Sequence, residues 1–511
     1  MERYEAAIVG AGPEGLVASI VLARAGLRVL VLEKSDEPGG RATTLEFHPG
    51  FRASAYADEL PPMPHRLYRS LGLARHGAIL APSPASVAVT AFGTSVLFAN
   101  EERLARSAPA ETVPDLLAFQ RETARARAAI ENRASTITQV QRRWFGPNNA
   151  TNSAPPWPAG PWVSESLDGF LRERIKNPLL RLHLAADAIC GRAVSPFLAG
   201  TALHVLAPGI GGSGQPPAGL GRLARALADI AVASGVMIRC DATVTHILVA
   251  QGRAAGVVVD GRESIETAAV LSALDLKQTV LGLVPWADLP DGVPKRAGRF
   301  RMTGQRARVL FALDAAPDLP CAYDSRDTAR GPIHVADSLE DFSRSHESWR
   351  AGTIPENPLV TLRVPSLSDP RLAPIGKAVM TATLGGIPAR LFDGAWTDEK
   401  RSRLAEFALA AAERAMPGVA ARVLAQHVLV GADVEAALAA SAGDLDGGEL
   451  APDQALDFRP FGGPEWQDGR MPVQGLYLGG PSSAPSPFWL GASGERAALA
   501  MLADFQAGLL R

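Results

Sequence analysis

A chain of 511 residues is longer than one hydrophobic core usually fills, so two or three domains, or one large interleaved α/β body, is expected. With 47% hydrophobic and 20% charged residues the composition is globular, which excludes a disordered, collagenous or disulfide-dense chain. Lys+Arg 51 against Asp+Glu 53 leaves a net charge of −2 and no electrostatic footprint for nucleic acid, and three separate cysteines, Cys190, Cys240 and Cys321, write neither a disulfide framework nor a zinc site.

The first residues, Met1 to Glu5, carry no basic region followed by an apolar stretch and a cleavage site, so a reducing, cytoplasmic location is expected. Ala6-Ala7-Ile8-Val9 predicts a strand and Gly10-Ala11-Gly12-Pro13-Glu14-Gly15 a turn. Leu16, Ile20, Leu22 and Ala23 mark a helix that Gly26 ends, and Arg28 to Glu33 is a second strand with an acid at its end. The spacing has a mechanism. Gly10 permits the tight turn, Gly12 lets the backbone approach a pyrophosphate at the helix N-terminus, and Gly15 lets the helix pack closely on the strand. Glu33, 21 residues after Gly12, stands where a carboxylate accepts hydrogen bonds from an adenosine ribose.

Gly146 to Trp162 reads as a surface excursion, and Trp144, Phe145, Trp157 and Trp162 around it give a weak expectation of peripheral membrane contact. Ala193 to Gly221 is the longest uncharged stretch, but its second half, with Pro208, Pro216, Pro217 and six glycines, cannot span a bilayer as a helix, so it reads as loop. The match Gly209 to Gly214 inside it repeats the glycine spacing, but Pro208 precedes it and Gln215-Pro216-Pro217 follows, so neither strand nor helix flanks it. Leu220 to Ala233 predicts a helix ended by Gly235, and Val236–Cys240, Ala242–Val249, Ala254–Val259 and Ser264–Leu271 predict four strands. Gly475 to Gly480 is a strand running into a turn, and Gly491-Ala492-Ser493-Gly494 opens a final helix. Nine histidines are scattered without metal-ligand spacing, so each reads as a surface or capping residue and no metal is expected.

Gly39-Gly40-Arg41 follows the second strand, and with the fingerprint before it the arrangement resembles the FAD-dependent oxidoreductases that include amine oxidases and phytoene desaturases. Residues 5 to 80, 219 to 275, Val364 to Gly376 and Gly448 to Pro460 are similar to the phytoene desaturase-related branch, which includes phytoene dehydrogenase-related and pyridine nucleotide-disulphide oxidoreductase domain-containing proteins. The resemblance implies an α/β fold: a Rossmann-like FAD-binding domain of the glutathione reductase type, assembled from separated segments, with an inserted α+β mixed-sheet substrate domain. The segments implied are 1–80, 215–285 and 450–511 for FAD and 81–214 and 286–449 for substrate. FAD would be held by Gly10, Gly12, Gly15, Glu33, Gly39, Gly40, Arg41, Val244, Gly480, Gly491 and Ala492. The final helix would aim its N-terminus at the flavin, where its dipole stabilises negative charge.

The implied activity is oxidation of a small, mainly apolar substrate by hydride transfer to flavin N5, in the manner of a desaturase, dehydrogenase or isomerase. Without a Cys-x4-Cys after the first helix or a second nucleotide fingerprint, electrons are expected to pass to oxygen, a quinone or a partner protein. The chain departs from the family at Ser482 to Phe488, which lacks a histidine and glycines usual there, and at Asp446-Gly447-Gly448. Phe488, Trp489 and Pro485 are therefore expected to narrow the substrate side of the flavin. A flavin amine oxidase, with Phe488 and Trp489 as its aromatic pair, and a non-catalytic FAD-binding regulator or chaperone stand as alternatives.

Overall fold

The computed structural model describes residues 4–79, 81–82, 85–135, 160–207, 214–215, 219–321, 328–462 and 464–510. The chain opens with β1 (Ala6–Val9), α1 (Pro13–Arg24) and β2 (Val29–Leu32). Both strands are buried throughout, as apolar runs in a parallel sheet covered on both faces are, and they pair with Ala6 opposite Val29 and Val9 opposite Leu32. The turn between β1 and α1 depends on glycine. Gly10 sits at φ +98°, and a Cβ on Gly15 would fall 2.1 Å from the Gly10 carbonyl oxygen.

A short hairpin, β3 (Thr44–His48) and β4 (Phe51–Ser54), precedes a second, β5 (Ala85–Thr90) and β6 (Gly93–Phe98). Then come α2 (Val113–Ser135), α3 (Pro178–Ile189), α4 (Leu220–Ala233), β7 (Met237–Arg239), and a three-stranded antiparallel ladder of β8 (Val244–Ala250), β9 (Arg253–Val259) and β10 (Glu263–Glu266). The single strand predicted over Ser264–Leu271 is in fact two. Ser264 and Ile265 stay in the ladder opposite Val258 and Val257, whereas β11 (Ala269–Ser272) leaves it and pairs in parallel with β1. The amides of Ala268 and Ala269 both donate to Glu5 O at the crossing point. Polar Glu263 and Glu266 suit an exposed ladder edge, and the apolar run that follows suits a covered sheet.

The remaining strands are β12 (Arg306–Leu313), β13 (Ile333–Val335), β14 (Val360–Arg363) and β15 (Ala378–Gly385), then α5 (Asp398–Ala415), β16 (Val423–Leu429), β17 (Leu476–Leu478) and α6 (Ala492–Gln506). A five-stranded parallel sheet runs β17-β11-β1-β2-β7. Leu16 and Ile20 of α1, Leu223 and Leu227 of α4 and Met501 of α6 share one core with Ile8, and Ile247, Val257 and Val280 share the opposite core with Val9 and Leu32.

A seven-stranded mixed sheet runs β16-β12-β15-β14-β13-β5-β6. Strand alternation gives it two unlike faces. Val309, Phe311, Leu362 and Leu384 join Leu404 and Ala408 of α5 in an apolar core. On the other face Leu310, Ala312 and Val379 pack with Phe51 and Ala53, and the charged residues are held in pairs: Arg308 donates to both carboxylate oxygens of Asp58 at 2.6 and 2.8 Å, and Arg363 donates to Glu59. His334 meets Thr361 Oγ1 at 2.9 Å and Asp187 Oδ1 at 3.3 Å, and His183 lies between Ser86 Oγ (2.8 Å) and Ser95 Oγ (2.5 Å). The expectation that every histidine lies at the surface or caps a helix is therefore corrected at His183, His204 and His334, which are all buried. Burial, and to a smaller degree the nearby His334, lower His183 to about 3, so its ring is neutral and packs as a hydroxyl-bonded core side chain.

Candidate functional site

A groove opens beyond the C-terminal ends of β1, β2 and β11, the place where parallel sheets bind ligands. Gly10, Gly12, Glu33, Gly40, Arg41 and Val244 of the sequence-predicted set line it. Glu33 is buried at its end. Its carboxylate accepts from Ala11 N at 2.7 Å and Ser35 N at 3.0 Å, so it ties the glycine turn to the end of β2 before any ligand is considered. A Cβ on Gly12 would meet nothing within 4 Å, so the backbone at the start of α1 faces open space, and Gly40, at φ +52°, approaches to where its Cβ would lie 3.1 Å from Gly12 Cα.

Arg41 is the guanidinium of the groove lining. It donates Nη2 to Glu14 at 2.7 Å and Nη1 to Leu445 O at 3.2 Å, while its buried Nε has no protein partner. An unpaired guanidinium N–H beside an open helix N-terminus fits a dianionic pyrophosphate, which supplies the missing acceptor.

The other predicted residues stand outside the groove lining. Gly15 packs α1 against the strand turn. A Cβ on Gly480 would lie 2.0 Å from Leu274 O, so this glycine sets the approach of the chain after β17 to the groove wall formed by Ala273 and Leu274. Gly39 precedes the lining residue Gly40, and its amide donates to Ala11 O at 3.1 Å. Gly491 caps α6 at φ +76°, and it and Ala492 act through packing: a Cβ on Gly491 would meet Val17, and one on Gly494 would lie 2.0 Å from Glu14 O. Phe488 is buried in the core on the seven-stranded side, Trp489 packs against that core with its Nε1 unpartnered, and Pro485 is buried with them. Trp162 packs on Phe170 at a centroid separation of 4.6 Å and is buried, while Trp144, Phe145 and Trp157 lie outside the described residues, as does nearly all of the glycine match at 209–214.

One wall of the groove carries no local motif. Leu438, Ala439, Ala440, Asp444 and Leu445 cross the groove although they follow β2 by some four hundred residues. Asp275 holds them there, accepting from Ser441 N and Oγ, both at 2.8 Å, and the Gln278 side chain donates to Ala439 O. Nothing near 438–445 in the sequence announces this, because the partner signals sit after β11.

Behind that wall lies a buried charge cluster. Asp446 accepts from Arg306 at 2.5 Å and Arg192 at 3.3 Å, and Arg459 donates to Asp446 O at 2.6 Å and Pro481 O at 2.9 Å. Asp444, on the groove side, receives among the described residues only backbone amides, from Asp446 at 2.8 Å and Thr303 at 3.1 Å. The two carboxyls diverge for that reason. Burial and then the neighbouring Asp446 push Asp444 up to about 7, whereas for Asp446 the fields of Arg306, Arg192, Arg41 and Arg459 outweigh burial and hold it well below the usual range.

A parallel sheet with this fingerprint, a carboxylate at the end of the second strand and an arginine beside the helix N-terminus define a dinucleotide-binding oxidoreductase of the flavin class. The family described as flavin containing amine oxidoreductase matches residues 15–414, and the chain belongs to that family. It is 27% identical over 99% of its length to the rat (Rattus norvegicus) pyridine nucleotide-disulfide oxidoreductase domain-containing protein 2, covering 94% of that protein. It is 28% identical to a phytoene dehydrogenase of Streptomyces griseus over 72% of this chain and 70% of the other. The fold matches cyclohexylamine oxidase from Brevibacterium oxydans with a TM-score of 0.57 at 15% identity, over 99% of this chain and 100% of the other. The protein is an FAD-dependent oxidoreductase. Among the described residues no helix is long and apolar enough to cross a membrane.

Proposed function

We propose that FAD lies along the groove with its adenosine ribose at Glu33, its adenine beside Val244 and its pyrophosphate at Gly10, Gly12, Gly40 and Arg41. Gly15, Gly39, Gly480, Gly491 and Ala492 shape that site from behind. Residues 1–80, 215–285 and 450–511 make up the cofactor domain in this reading, with 81–214 and 286–449 as the substrate domain. The observation that carries it is the unpartnered, buried Nε of Arg41 beside the open backbone at Gly12.

Bound FAD would supply a two-electron acceptor able to take a hydride from a substrate C–H bond, including one beside a nitrogen. The chain supplies place and field. Arg41, Arg192, Arg306 and Arg459 outnumber the ionised carboxylates around Asp446, so the wall beside Asp444 favours negative charge that develops next to it. The substrate is a mainly apolar molecule, a reading supported by the phytoene dehydrogenase relative. Phe488 and Trp489 border it only from the core side in this reading, and oxygen, a quinone or a partner protein takes the electrons.

Two measurements test this. Glu33→Gln should weaken FAD binding by ~1.5–3 kcal/mol, roughly tenfold to a hundredfold, in a fluorescence titration, and an unchanged Kd would remove Glu33 from the site. Anaerobic mixing of the yellow protein with apolar alkenes and with amines should bleach the flavin with the former; bleaching by amines alone would transfer the substrate to the amine class.

A further inference from the structure

A second cavity, of about 300 Å3, lies between α2, α3 and the β6 edge of the seven-stranded sheet, and it shares no lining residue with the cofactor groove. One wall is a single face of α2. Leu116, Phe119, Thr123 and Arg127 follow one another at three- and four-residue steps, so they stack along the helix, apolar in the earlier turns and polar in the later ones. Leu184, Asp187 and Ala188 of α3 make up a facing wall, and Val205 and Ala207 close it.

The polar end is incomplete. Thr123 is only 6% exposed, and its hydroxyl has no hydrogen-bond partner. Arg127 donates Nη2 to Val205 O at 2.9 Å and Ala207 O at 2.8 Å, which leaves its buried Nε without an acceptor. Buried polar groups are nearly always paired, so two unpaired donors four residues apart on one cavity wall point to a polar group that is to be bound there. Its charge follows from the neighbours. Arg127 faces Asp187, which His334 anchors from behind at 3.3 Å, and Arg121 at the rim pairs with Glu101 at 3.4 Å. A net anion would gain Arg127 but meet Asp187, a cation the reverse, and a neutral oxygen accepts from Arg127 and Thr123 without either penalty.

We propose that this cavity is a binding site for a small amphipathic molecule with a neutral oxygen head, a hydroxyl or carbonyl, and an apolar chain. The head oxygen accepts from Arg127 Nε and Thr123 Oγ1, and the chain lies along Leu116, Phe119 and Leu184. The site stands apart from the FAD groove and does not depend on the substrate reading above.

Calorimetric titration of the FAD-loaded protein with decanol, decanoate, decylamine and decane tests it. Decanol should bind saturably at one site, about tenfold or more tighter than the two charged analogues. Thr123→Val removes the hydroxyl with little change of shape and should weaken decanol by about fivefold to tenfold while leaving decane unaffected. Leu184→Trp fills the cavity and should abolish decanol binding while the flavin spectrum stays as in the parent protein. No saturable decanol binding, tighter binding of decanoate or decylamine, or decanol binding equal in parent and Thr123→Val would overturn the proposal. Should Leu184→Trp lose its fold, the Thr123→Val titration decides alone.

Discussion

The five-stranded parallel sheet and the seven-stranded sheet treat polar side chains in opposite ways. In the first, β1, β2 and β17 are apolar and buried on both faces, and the charges beside them, Glu33 and Arg41, stand past the strand ends. In the second, charge sits within the strands. Arg306, Arg308 and Arg363 project from one face and are neutralised by Asp446, Asp58 and Glu59, which come from loops far away in sequence. A sheet whose charges stand past its strand ends can keep a dry interior, whereas a sheet that buries ionised groups across its face depends on every partner being in place.

That contrast predicts where substitutions hurt most. Arg308→Ala leaves the buried Asp58 carboxylate without its bidentate partner and should cost about 3–5 kcal/mol of stability in urea unfolding. Replacing both, with Arg308→Met and Asp58→Leu, should recover most of the loss; a double variant as unstable as the single one would show that the pair matters for something other than charge balance.

Within the first sheet, two glycines three residues apart should separate folding from ligand binding. Gly15→Ala drives a methyl against the Gly10 carbonyl and should cost about 1–3 kcal/mol of stability. Gly12→Ala has open space around its methyl, so stability should stay within about 0.5 kcal/mol while FAD affinity falls, because the methyl projects toward the phosphates. Equal loss of stability in both variants would erase the distinction between packing and binding glycines.

The smallest expected effect sharpens the boundary between the two regions. Asp444 takes up its charge as the pH rises through about 7, above the value of about 4 for an exposed aspartate, so its contribution to stability is present below pH 4 and is lost as the pH rises toward 7. A carboxylate formed in the groove wall repels a bound pyrophosphate, so FAD affinity should fall by about fivefold between pH 6 and pH 8. Asp444→Asn should flatten that profile, and a parent profile that is already flat would place Asp444 too far from the phosphates to matter.

The half built on the parallel sheet was legible because its signals are local. Gly10, Gly12, Gly15, Glu33 and Gly39-Gly40-Arg41 fall within about thirty residues, and a βαβ unit of that length has few ways to fold. The four-strand reading after α4 lost only the break at Thr267, since two adjoining strands with no turn residue between them look like one. Asp444 was opaque, because its place in the groove depends on Asp275 and Gln278, which hold its segment by side-chain and backbone hydrogen bonds across some 160 residues.

By itself, then, the sequence determined the glycine turn, the carboxylate at the end of β2 and the flavin class, all matters of short-range spacing. Tertiary structure alone decided which faces the buried arginines and histidines occupy, that Phe488 packs into the core, and which wall closes the groove. Burial of a charge is settled by partners brought together from distant segments, and those pairings leave no periodicity for a single sequence to display.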